Sequence, residues 1–68
     1  MNRYEQILKD YLMDNETKKY KEMKKSGELR EYLKIKAEAA QNQKADLVNE
    51  GLLDNQAEEI AIRDLLAV

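Results

Sequence analysis

Chemistry in this chain would have to come from carboxylates and lysines. The sequence has no histidine and no cysteine, and among its 68 residues it offers one serine, Ser26, and one threonine, Thr17. Nucleophilic catalysis needs a nucleophile beside a base that a third group orients. Ser26 has Lys24 and Lys25 as sequence neighbours, and both are expected in solvent rather than aimed at a hydroxyl. Paired carboxylates can run acid–base steps or hold a divalent ion. Asp10 and Asp14 fall on one predicted helix face and read as a solvated edge near Lys9 and Lys18. Asp54, Glu58 and Glu59 gather where acids ordinarily stabilise a helix N-terminus. No catalytic residue, metal, cofactor or small-molecule substrate is expected, and the chain reads as a non-enzyme.

Lysines supply the remaining candidate. Lys18, Lys21 and Lys25 share one side of a predicted helix, with Lys19 and Lys24 at the flanks. Such a face can contact phosphates, though a solvated lysine face is its ordinary meaning. The patch holds no arginine, so bidentate reading of bases is not expected from it. A helix-turn-helix comparison fits poorly, because Lys36 and Glu38 fall among positions that should pack or read bases. Charge is also divided along the chain. Residues 1–27 carry seven basic and five acidic groups, and residues 28–68 carry five basic and nine acidic ones. The first part is therefore net positive and the second net negative.

Four helices must position these groups. Tyr4, Ile7, Leu8, Tyr11 and Leu12 recur at helical spacing and predict a first helix over about Arg3 to Met13, with Asn2 and Glu5 as a capping box. The break is expected at Asp14-Asn15. A short second helix follows from about Glu16 to Lys25, capped by Asn15 and closed by Ser26-Gly27, with Tyr20 and Met23 facing inward. The third and longest runs from about Glu28 to Glu50, with Leu29, Leu33, Ala37, Ala40 and Leu47 on its main face. Gly51 closes it, and Leu52 is placed to reach back to Leu47. Asp54 is expected to cap a fourth helix over about Asn55 to Ala67, with Ala57, Ile60, Ala61, Leu65 and Val68 on one side. Proline is absent and short connections force neighbours to pack closely. The expected fold is a single all-α domain over residues 1–68, a small bundle centred on the hairpin of the third and fourth helices.

Two helices carry more apolar residues than one face holds. Tyr32, Ile35 and Ala39 form a second stripe on the third helix, and Ile62 and Leu66 do so on the fourth. Either a wide core covers them or they form a partner or homodimer interface. A core of this size without Phe, Trp or a crosslink is marginal alone, which favours self-association. No apolar run approaches the ~20 residues that span a bilayer. Met1 opens directly into a polar helix without a leader, and a cytoplasmic protein is expected.

The stretch from Tyr20 through Lys21, Glu22, Met23, Lys24, Lys25, Ser26, Gly27 and Glu28 to Leu29, followed by Tyr32-Leu33, resembles small TnpV-like proteins of bacterial conjugative transposons and prophages. In these a short helix ends in Ser-Gly and a Leu-x-x-Tyr-Leu helix follows. Gln56-Ala57-Glu58-Glu59-Ile60 is similar to their later alanine- and glutamate-rich helix. The resemblance spans about residues 11–66 and implies a helical fold and a mobile-element or phage origin, with no catalytic residues to carry across. The expected function is protein binding, with inhibition of a host or element-encoded protein as one form. The alternative is a nucleic-acid accessory role through Lys18, Lys21 and Lys25.

Overall fold

The computed structural model describes residues 1–67. Its elements are α1 (Arg3–Asn15), α2 (Thr17–Ser26), α3 (Leu29–Asn49) and α4 (Asp54–Leu65), with no strand among the described residues. The expected all-α bundle is the fold. Val68, assigned above to the inner face of the fourth helix, lies outside the described residues.

Local chemistry sets most boundaries. The Asn2 side chain accepts the Glu5 backbone N–H at 2.8 Å and the Glu5 carboxylate accepts the Asn2 N–H at 3.3 Å, so two unpaired donors of the first turn are satisfied reciprocally. Both glycines take positive φ, 85° at Gly27 and 108° at Gly51, where a Cβ would be strained. After α3 the Leu52 N–H donates to the Leu47 carbonyl at 3.1 Å and the Gly51 N–H to Val48 at 3.0 Å. That is the paired stop expected from Leu47, Gly51 and Leu52.

Two caps differ from expectation. Asn15 stays in α1, and its side chain donates to the Tyr11 carbonyl at 3.3 Å. The break falls one residue later at Glu16, with φ −131° and ψ 53°, so α1 passes almost directly into α2. Asp54 is the first residue of α4 rather than its cap. Leu53 holds the cap position, and its backbone N–H donates to the Gln56 side chain at 3.2 Å.

Packing follows the size of the side chains. α3 is the hub, touching every other helix, and its most extensive partner is α4. Ala37 and Ala40 on α3 and Ala57 and Ala61 on α4 are all buried, and small residues let two helix backbones approach closely. The larger buried side chains Leu8, Leu12 and Leu33 fill the space that α1 shares with α3. Tyr4, Met23 and Leu65 complete the core, and among the described residues no polar or charged one is buried in it. The body is elongated, 41 × 19 × 17 Å.

Candidate functional site

The two hydroxyls, Ser26 and Thr17, are held in structural roles. The Ser26 hydroxyl donates to the Met23 carbonyl at 3.1 Å and accepts the Glu28 N–H at 3.4 Å, which ties off the end of α2. The Thr17 hydroxyl donates to the Met13 carbonyl at 3.1 Å across the α1–α2 junction. Asp10 accepts from the Gln6 side chain one turn away. Among the described residues no three acidic groups come close enough together to share a metal ion.

Two of the carboxylates at the start of α4, Asp54 and Glu58, are paired with cations of other helices. The Glu58 carboxylate accepts a hydrogen bond from the Arg3 guanidinium, which pins the start of α1 to α4. Lys44 on α3 sits between Glu58, at 3.5 Å, and Asp54, at 3.3 Å. The hydrogen bond from Arg3 is the main reason the Glu58 carboxyl is held below the usual carboxylate range, with partial burial opposing it. Lys44 is raised, first by its bond to Asp54. Burial raises the Tyr4 phenol, and the nearby Glu58 charge adds to it. Three helices thus converge on one ion-pair cluster, and its chemistry is that of a fastener.

A different arrangement lies toward the α2 end. The first turn of α1, α2 and the first half of α3 enclose an open groove of about 870 Å³. Lys9, Lys24, Arg30 and Lys34 stand around it, against Glu5 and Glu38. Its apolar surface comes from Met1 and from the half-buried Tyr20 and Leu29. The Lys24 ammonium lies 5.9 Å from the centre of the Tyr20 ring, close enough for the ring face to attract it. Among the described residues the cations engaged in ion pairs are Arg3, Lys44 and Arg63. None of the four cations around the groove is among them. A polypeptide with carboxylates and an apolar anchor would find both of its complements here.

The residues singled out from sequence fall into three places. Lys18, Lys21 and Lys25 are exposed, on the outer side of α2. Lys19 lies 5.4 Å and Lys36 5.8 Å from the centre of the Tyr32 ring, so that ring is flanked by cations. Tyr32, Ile62 and Leu66 are half-buried and packed against the chain's own core. Part of their apolar area is therefore used internally, as the wide-core alternative has it. Ile35, at 57% exposure, and Ala39 remain open to solvent. The groove itself was missed. Its cations come from three helices, and the one usable signal was that Lys9, Arg30 and Lys34 are polar neighbours of core positions Leu8, Leu29 and Leu33.

No family model, curated protein or solved structure matches the chain. Among the described residues no helix is long and apolar enough to cross a membrane.

Proposed function

We propose that this chain is a non-enzymatic protein-binding module that takes its partner in the groove between α1, α2 and α3. The observation that carries this reading is the set of four cations, Lys9, Lys24, Arg30 and Lys34, unpaired among the described residues and set around an apolar surface. Cations left unpaired around accessible apolar side chains favour a partner that supplies both charge and anchor. A cytoplasmic setting and a partner from a host or from a mobile element, with inhibition as one outcome of binding, rest on the composition and on the TnpV-like resemblance.

The second reading is nucleic-acid contact through Lys18, Lys21 and Lys25, favoured by the exposure of all three on one helix. Capture from cell extract with three proteins separates the two. A partner held by the parent and by Lys18→Glu/Lys21→Glu/Lys25→Glu, but lost by Lys24→Glu/Lys34→Glu, supports the groove. Equal capture by all three proteins refutes it. A salt-dependent shift of DNA or RNA fragments that only the α2 triple variant abolishes favours the second reading.

A further inference from the structure

The groove asks for carboxylates beside exposed apolar side chains, and the chain carries such a segment itself. Between α3 and α4 the sequence runs Val48, Asn49, Glu50, Gly51, Leu52, Leu53, Asp54. Val48 is 39% and Leu53 65% exposed, with the exposed Glu50 between them, while Asp54 after them is already paired with Lys44. Leu53 is out of place on local grounds. It occupies a helix N-cap, where Ser, Thr, Asp or Asn would stabilise the first turn and an aliphatic side chain does not. A large apolar residue that breaks a local rule in full view of solvent points to a role outside the chain. The stop around Gly51 fixes the backbone of this knuckle, so ordering it on contact costs little.

We infer that the occupant of the groove is a second copy of this chain, inserting its α3–α4 knuckle. The inference rests on the groove being the protein-binding face. Charge complementarity is direct: Glu50 belongs to none of the ion pairs among the described residues, and neither do the cations around the groove. Residues 42–67 carry six acidic and two basic groups, so the knuckle stands in the acidic part of the molecule.

The geometry of α3 makes the contact reciprocal. Lys34, Gln41 and Val48 recur every seven residues, which keeps them on one strip of a helix with a drift of only ~20° per step. The groove borders the first half of that strip and the knuckle ends it. Antiparallel pairing of two α3 helices about Gln41 sets Lys34 of one protomer opposite Val48 of the other. Each groove then meets the partner's knuckle, and a two-fold dimer closes without free ends. A standard interface takes about 800 Å² from each partner. The surface of 4826 Å² on a body 41 Å long can supply that area along its length.

Sedimentation over a range of protein and salt concentrations tests the pairing. The parent should be a dimer that dissociates as salt rises. Lys24→Glu/Lys34→Glu should be a monomer, as should Glu50→Lys/Leu53→Lys, each with parental helicity by circular dichroism because all four positions are exposed. An equimolar mixture of the two should regain the dimer mass, since the reversed groove then faces the reversed knuckle. Ile35→Glu should leave the dimer intact. A parent that stays monomeric at high micromolar concentration and low salt overturns the inference. So does assembly beyond a dimer, or a dimer indifferent to both double variants and split by Ile35→Glu. If the parent is monomeric while capture of another protein still depends on Lys24 and Lys34, self-pairing fails and the groove reading stands. If capture is indifferent as well, both fall.

Discussion

Two regions of this molecule handle charge in opposite ways. Around the α3–α4 hairpin, Lys44 sits between Asp54 and Glu58, and Arg3 reaches across from α1 to the same glutamate. Around the groove, Lys9, Lys24, Arg30 and Lys34 have no ion-pair partner within the described chain. Cations paired inside the fold help to hold helices together. Cations left unpaired beside apolar surface offer that fold little and are available to an incoming partner. The contrast is between cations spent on fastening helices and cations the described chain leaves unspent.

The largest perturbation should ignore the contrast. Leu8 is fully buried in the core that joins α1 to the α3–α4 hairpin. Leu8→Ala should cost about 2–5 kcal/mol, a large share of the stability of so small a domain. Chemical denaturation should then show both regions melting together. Separate transitions for the groove region and the hairpin region would mean that the two are independent units.

A smaller effect is expected at the hairpin stop. A Cβ at Gly51 meets nothing within 4 Å, yet φ there is 108°. The cost of Gly51→Val is therefore conformational, about 1–2 kcal/mol, and it should appear as a lower melting temperature with the groove region still helical. An unchanged melting temperature would mean that the turn relaxes freely and that the knuckle is not held rigid.

The smallest effect sharpens the contrast most. The Glu58 carboxyl lies below its ordinary range because Arg3 donates to it. Its contribution to stability is complete above the ordinary carboxylate range and disappears as pH falls through the lowered value. Glu58→Gln should therefore reduce stability modestly at neutral pH and flatten the acid limb of the stability–pH curve. Lys24→Glu/Lys34→Glu should not flatten that limb. If the two proteins lose the same acid dependence, the division between a paired region and an unpaired region is wrong.

Helical period and capping chemistry are local properties, so the four helices were legible from the sequence. Asn2 with Glu5, Gly27, and Leu47 with Gly51 and Leu52 each announce a boundary within a few residues. The two displaced caps show where local preference yields. Asn15 prefers to start a helix but remains inside α1, and Leu53 takes a position that favours polar side chains. Coverage of the surplus apolar residues could not be read in this way. Tyr32 and Ile35 are three residues apart on one helix, yet one is half-buried beside Lys19 and Lys36 and the other is exposed. The difference depends on where α2 crosses α3, which no spacing in either helix encodes. The groove was hidden for the same reason, since three helices must pack before its four cations converge.

The packing of α3 on α4, its neighbour in sequence and its most extensive partner, also bears on how fast the chain folds. Helical bundles dominated by local contacts fold in microseconds to milliseconds, because little loop entropy is lost before contacts form. With no proline and no cysteine, the chain has no prolyl isomerisation or disulfide exchange to slow it. The bond between Arg3 and Glu58 is far from local, joining residues 55 apart. Its two partners meet only after α1 and α4 have both docked on α3. Such a late contact acts on the unfolding rate rather than the folding rate. The Arg3–Glu58 bond is thus a latch on the finished bundle, adding modestly to how long the native state lasts and not to how quickly it is reached.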